Sequence, residues 1–405
     1  MARAVEDPEA RRAFNASFSR ERYDGFLRDL DTRLAVPTDF RVAETPLFLS
    51  GEFTRELAAA AREILDLLRT PGFTRHAGSA LPPGMDVPAG DGHPAMLQID
   101  FGITRNETGE FIPQLIELQG FPSLYCFQTY FETVLRDHFD VPPGLTAYFN
   151  GLSSDDYLRE LRTVLIADAD PAETVLLEIH PEEQKTRIDF AATEKLLGIR
   201  TVCVTKVRKR GNRLFYDRDG KETLIRRIYN RVVFDELAGK NPAMEFSFRD
   251  ALDVTWVPHP SWYYRISKHT LPFLKSRYAP PCTLLADIDE APEDLPDYVL
   301  KPLFSFAGGG VIVDVTKQDL SKVADPAAWI LQKKVRYAPF IPTEDVPSKA
   351  EIRLMFLWAG EPLLVTNLVR MSKGKMMGVD FNKNRTWVGS SIAFVPLAAS
   401  GPPLL

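Results

Sequence analysis

The stretch YVLKPLFSFAGGGV, Tyr298 to Val311, carries an apolar run into Lys301 and reaches three consecutive glycines, Gly308, Gly309 and Gly310, within ten residues. A lysine on a buried apolar strand needs a partner for its ammonium or an exit to solvent at the strand's end. Here Pro302 and a glycine loop follow at once, and the N–H groups of such a loop can turn toward phosphate oxygens. Glycine is also the default residue of any tight turn. The stretch reads either as a phosphate cradle or as an edge-strand lysine followed by a hairpin turn.

Other residues bear on that choice. Lys268 lies upstream in RISKHTLPFLKSRYAPPCTLL, within a segment, ISKHTLPFLKSRY, that reads as a helix; a solvated helix lysine is the plain alternative. Downstream, AWILQKKVRY brings a strand into Gln332, Lys333, Lys334 and Val335. An extended linker of this kind can offer backbone N–H and C=O groups to an adenine edge, and an ordinary amphipathic strand is its alternative. Oxygen donors sit earlier: Asp100 in AMLQIDFGIT, then Glu117 and Gln119 in FIPQLIELQG. Residues i and i+2 of a strand share a face, so Glu117 and Gln119 project together, and Asp100 on a paired strand can complete a cluster of the hard oxygens that Mg²⁺ prefers. A solvated strand carboxylate is the alternative for Glu117. A second oxygen-rich group, Asp380, Asn382 and Asn384, is crowded by Lys373, Lys375, Lys383 and Arg385 and reads better as an exposed polar loop. Arg226, Arg227 and Arg231 fall on a strand and its end, where guanidinium forks suit capture of a carboxylate or a structural pairing equally. Glu351 and Arg353 alternate to one face of a late strand, and Arg370 stands on the next.

The elements that must position these groups follow from periodicity and turn chemistry. Residues 1 to about 70 read as mostly helical, with an apolar stripe through Leu57, Ile64 and Leu68 and Pro71-Gly72 as the stop. The two strands bearing Asp100 and Glu117 flank the turn RNETGE and form a hairpin, and SLYCFQTYFETVLRDHF follows as a helix. From about residue 174 strand and helix alternate: TVLLEIH, a helix ending on Gly198, RTVCVTK, then RLFYDRDGKETLIRRIYNRVVF as a hairpin turning on Asp-Gly. That is a small doubly wound α/β unit. The last section carries the glycine loop and strands through EIRLMFLW, PLLVTNLVRM and SSIAFVP.

Bulk composition sets outer bounds. The chain has 405 residues, 45% hydrophobic and 26% charged, enough for two or three structural units around a large core. A net charge of −6 gives no support for nucleic-acid binding. Three scattered cysteines, Cys126, Cys203 and Cys282, fit a reducing compartment rather than a disulfide framework. The first residues lack an apolar signal segment, and no run approaches a membrane span, so a cytoplasmic protein without membrane contact is expected.

The order of helix lysine, strand lysine with glycine loop, then strand and hinge resembles the ATP-grasp superfamily. The combination of IDF, LIELQGFPS, SKHTLPF and VLKPLFSFAGGG further resembles the eukaryotic-type glutathione synthetases and the glutathionylspermidine synthetases, in which the metal strands precede the nucleotide lysines in a circular permutation of the usual order. The resemblance implies an α/β (α+β) protein. It would have a helical N-terminal region (1–85), permuted metal-ligand strands (86–150), a substrate-side α/β subdomain (151–255), a nucleotide-binding region (256–395) and a flexible tail (396–405). It implies ATP held by Lys268, Lys301, the glycine loop and the hinge Gln332 to Val335, and Mg²⁺ on Asp100, Glu117 and Gln119. Arg370 would lie with Lys301 beside the transferring phosphate. Gln119 stands where these families carry Asn, and FSFAGGG lacks their acidic loop residue, so the metal count can differ. The implied activity is an amide-forming ligase that joins a small carboxylate to an amine through an acylphosphate, with a homodimer possible. A regulatory ATP-binding module and a nucleotide-free α/β binding protein are the alternatives.

Overall fold

In a computed structural model, residues 4–82, 85–305, 309–375, 377, 382 and 384–397 are described. Four helices come first: α1 (Pro8–Ser17), α2 (Arg20–Thr32), α3 (Gly51–Leu68) and α4 (Pro71–Ser79). Each has an oxygen-bearing N-cap, Asp7, Ser19, Ser50 and Thr70, whose side chain accepts from an otherwise orphan N–H. Pro71 was expected as a stop and instead opens α4, where its missing N–H costs nothing.

The hairpin forms as expected from β1 (Met96–Arg105) and β2 (Phe111–Gln119), and α5 (Tyr125–His138) follows. After α6 (Ser154–Leu165) the chain builds β3 (Thr174–Glu178), α7 (Arg187–Leu197) and β4 (Arg200–Cys203). The Asp-Gly hairpin is β5 (Arg213–Arg218) and β6 (Lys221–Ile225), with Asp219 and Gly220 both at positive φ, as this tight turn requires. β7 (Arg227–Asn230) leaves the hairpin and joins β8 (Thr255–Val257) in a fully parallel sheet of order β8-β7-β3-β4. Strand order reverses between β3 and β7, which opens a crevice at their carboxyl ends.

A second sheet, antiparallel, has the order β9-β12-β10-β11, from β9 (Cys282–Leu284), β10 (Tyr298–Pro302), β11 (Ile312–Val313) and β12 (Trp329–Lys333). The central sheet joins distant parts of the chain. β13 (Lys349–Trp358), β14 (Pro362–Ser372) and β15 (Gly389–Ser391) complete it in the order β15-β14-β13-β1-β2. Alternation sends Ile99, Phe101, Ile103, Ile352, Leu354 and Val369 into one core, shared with the buried stripe of α3. The opposite face splits. One end is apolar and covered by α5 through Phe127, Phe131, Met355 and Leu368; the other end carries the charges.

Candidate functional site

The charged end begins with register. Arg353 on β13 lies opposite Asp100 on β1, Glu351 lies opposite Arg370 on β14, and Asp100 lies opposite Glu117 on β2. Arg353 grips Asp100 with a two-pronged fork, Nε to Oδ1 and Nη2 to Oδ2, both at 2.6 Å. Its third nitrogen donates to Gln98 Oε1 at 3.1 Å. Arg370 donates to both Asp100 and Glu351. Asp100, expected as a metal ligand, thus spends both oxygens on guanidinium groups, and its side chain is 1% exposed. Glu117, at 19%, is the carboxylate of this cluster that a ligand can reach.

A β-bulge aims it. Phe101 faces Leu115 while Asp100 faces Glu117, so Ile116 is the extra residue, and its carbonyl accepts from Lys301 Nζ at 3.3 Å. Lys301 stands on β10 within the second sheet, so this bond fastens the two sheets together. Lys268 arrives from a third direction. Its segment is a 3₁₀ turn, Lys268–Phe273, rather than the expected helix, because Pro272 cannot donate and the chain stays short and tight. Ser267 and Thr270 close its start as a reciprocal cap. Gly120 lets the end of β2 touch this region: its N–H donates to Ile266 O, and a Cβ would meet Trp262 O at 2.6 Å. Lys268 Nζ then lies 3.9 Å from Glu117 and donates to Ser305 O.

Four cations, Lys268, Lys301, Arg353 and Arg370, therefore surround three carboxylates. Burial would raise the Glu117 carboxyl, but Lys268, Arg370, Arg353 and Lys301 together hold it down at about 2. Burial lowers Lys301; Glu117 opposes this and Lys268 adds to it. Burial raises Glu351, with Arg370 resisting and Asp100 reinforcing. Several polar atoms here are buried without partners: Gln119 Oε1, Arg370 Nε and Ser305 Oγ. Gln119 turns its amide nitrogen onto Glu117 at 2.6 Å, which leaves that oxygen unspent. With its amide turned over, Gln119 would bring that oxygen to the side of Glu117, and the pair would then offer Mg²⁺ two of the oxygens it takes beside phosphate and water. A narrow cleft runs past Glu117, Gln119, Phe121, Lys268 and Ser305.

The glycine run lies in the hairpin loop between β10 and β11. Gly308 falls outside the described residues; Gly309 is exposed, and Gly310 has φ +70°, the left-handed region that glycine serves best. The hinge is more occupied than expected. Gln332 is mid-sheet between Val299 and Cys282, and the N–H groups of Lys333 and Lys334 donate to Pro281 O and Asp297 O. Lys333 pairs with Asp294, and Lys334 with Asp314. Val335 follows them directly, and Tyr337 beyond it reaches the charged sheet, where its hydroxyl donates to Glu351 Oε2 at 2.5 Å. In the polar loop, Asp380 and Lys383 lie outside the described residues, while Asn382 is buried and accepts from Ser372 and Lys373.

The three arginines near residue 230 separate by role. Arg226 pairs with Glu173, and Arg227 donates to the last carbonyls of α6, Val164 and Leu165. Arg231 is different. It sits at the carboxyl end of β7, 3% exposed, with Nε and Nη1 unpartnered and its plane against Phe121 and Phe190. Phe121 also lines the cleft, so Arg231 backs onto it. At the end of the neighbouring β3, burial pushes the Glu178 carboxyl up to about 8 against the pull of Arg231. Close by, ligand atoms of His180, Glu182 and Glu183 fall within 4.8 Å of one another, but Glu183 is already engaged by Lys240.

Sequence reasoning underweighted Arg353, Glu351 and Tyr337. For Glu351 and Arg353 the available signal was two charges at i and i+2 within the otherwise apolar AEIRLMFLW. No protein-family model and no curated protein matches the sequence. Among solved structures, a glutathione synthetase-like effector from Globodera pallida in its apo form matches with a TM-score of 0.56 at 12% identity, over 96% of this chain and 99% of that one. The chain therefore has a glutathione synthetase-like fold.

Proposed function

We propose that this protein is an ATP- and Mg²⁺-dependent ligase of the permuted ATP-grasp type, joining an amino-acid or peptide-like carboxylate to an amine. The observation that carries the reading is the convergence of Lys268, Lys301 and Arg370 on the accessible Glu117, beside the unspent Gln119 oxygen. In this reading the two lysines and Arg370 bind triphosphate oxygens and neutralise the charge that spreads over the transferring phosphoryl group. Glu117 and Gln119 would hold the metal, which supplies further positive charge against those oxygens. Asp100 and Glu351 orient Arg370 rather than touching substrate. Arg231, 3% exposed behind Phe121, supports the wall of the cleft from behind.

The chemistry then needs position more than a nucleophilic side chain. An oxygen of the substrate's reacting carboxylate attacks the γ-phosphorus, ADP leaves, and an acylphosphate forms. The amine nitrogen attacks the acyl carbon, phosphate leaves with the bonding pair, and the nitrogen gives up a proton to solvent. Cations already fixed in a low-dielectric cleft favour the first step without reorganising.

A second reading, nucleotide binding without ligation, draws on the self-compensation of the cluster, since both lysines already donate to backbone carbonyls and Asp100 is fully engaged. Thermal shift with ATP and Mg²⁺ tests both. Bound nucleotide raises the apparent melting temperature by mass action, Lys301→Ala abolishes the shift, and Glu117→Ala removes only its Mg²⁺-dependent part. ADP release with a screen of carboxylates and amines then separates ligase from binding module. No shift in the wild type sinks the nucleotide reading.

A further inference from the structure

We propose that Tyr337 is a positioning residue that couples the hinge after β12 to Arg370. The inference rests on the nucleotide reading above and adds a connection within it. Tyr337 stands two residues beyond Val335, so its place depends on how the hinge segment runs. The segment is anchored at both sides: Lys334 N–H donates to Asp297 O at 2.8 Å, and Ala338 N–H donates to Ile103 O at 2.8 Å. Tyr337 itself bridges to Thr104 on β1.

Its ring lies over Gly102, where a Cβ would come within 2.6 Å of the ring edge. That missing side chain makes room for the aromatic to pass across the sheet face. The hydroxyl ends on Glu351 Oε2, and the other oxygen of Glu351 accepts from Arg370. The same nitrogen of Arg370, Nη2, also donates to Asp100, and its Nε remains without a partner. The path from hinge to guanidinium therefore runs through one side chain, one carboxylate and two hydrogen bonds. Removing the hydroxyl frees one oxygen of Glu351, which is then able to rotate and carry Arg370 with it. The ring alone does not replace that bond, because with the hydroxyl gone the carboxylate is left to pivot on its Arg370 contact through Oε1. A ligand contact at the terminal phosphate thus depends on a group that touches no phosphate.

The test is calorimetric titration of the full chain with Mg²⁺-ATP and Mg²⁺-ADP, which share every group except the terminal phosphate. Tyr337→Phe keeps the ring on Gly102 and should weaken ATP about tenfold while leaving ADP nearly unchanged, the scale expected for a hydrogen bond to a charged group. Glu351→Gln approaches the same link from its other end and should show the same selective loss. Combined with Arg370→Lys, Tyr337→Phe should add much less than its own separate effect, since both act on one contact. Equal losses for ATP and ADP, or fully multiplicative losses in the double variant, overturn the coupling and leave the nucleotide reading standing. A wild type that binds neither nucleotide overturns both.

Discussion

Glu117 keeps its charge only because four cations outweigh the cost of burying it, and this has a measurable sign. Its folded-state value lies near 2, below the ordinary carboxylate range. The stabilisation is present at neutral pH and is lost as the medium falls from about 4.5 toward 2. Acid unfolding of Glu117→Gln should therefore begin from a lower stability and fall less steeply over that window. Glu178 runs the other way: its folded value is pushed up to about 8. The unfolded chain ionises this group first, so it costs stability progressively between about pH 4.5 and 8. Glu178→Gln should gain on the wild type across that range and level off above it, which melting curves at stepped pH will read. Arg353 offers the largest single effect. Replacing it by Met leaves Asp100 buried with half its partners gone, and breaking such a pair costs about 3–5 kcal/mol.

The elements show which of these arrangements sequence could announce. Hairpin β1–β2 was legible because alternating apolar strands flank a polar turn, and its Asp100, Glu117 and Gln119 follow from period two. After Lys301 the sequence left a hairpin turn and a phosphate cradle both open; β10 and β11 pair antiparallel, and Gly310 takes a positive φ. The 3₁₀ turn at Lys268 was not legible, because KHTLPF scores as helix until Pro272 is weighed against its neighbours. Neither was the Arg353–Asp100 fork, since it rests on the register of two strands whose facing residues lie 253 positions apart, which no local pattern marks. Gly120 is the hinge of these placements. Gly120→Ala drives a methyl into Trp262 O and should cost about 1–3 kcal/mol, as other overpacked sites do. Gly109→Ala, in the open turn of the same hairpin, meets nothing within 4 Å but must take a positive φ that Gly120 does not have, so denaturant melts of the two set a steric cost beside a conformational one.

At the scale of the whole molecule, the charged face exists only where segments far apart in the chain lie side by side. β1 and β2 come from residues 96–119, while β13 to β15 come from residues 349–391. The α/β order after residue 174 was readable from its alternation, but the merging of early and late strands into one sheet was not, since pairing between distant segments leaves no local signature. Refolding from denaturant should accordingly be slow, on the order of milliseconds to seconds, and stopped-flow fluorescence of Trp262, Trp358 and the other tryptophans will time it. The same layout has a consequence during synthesis. Once residue 119 has been made, 349 is still roughly ten to fifty seconds away at ordinary elongation rates. For that interval the first hairpin leaves the ribosome with one edge unpaired and an acidic side chain facing no arginine. A growing chain in that state is a natural client for chaperones, and the late strands act as the closing half of a site whose first half has been waiting for them.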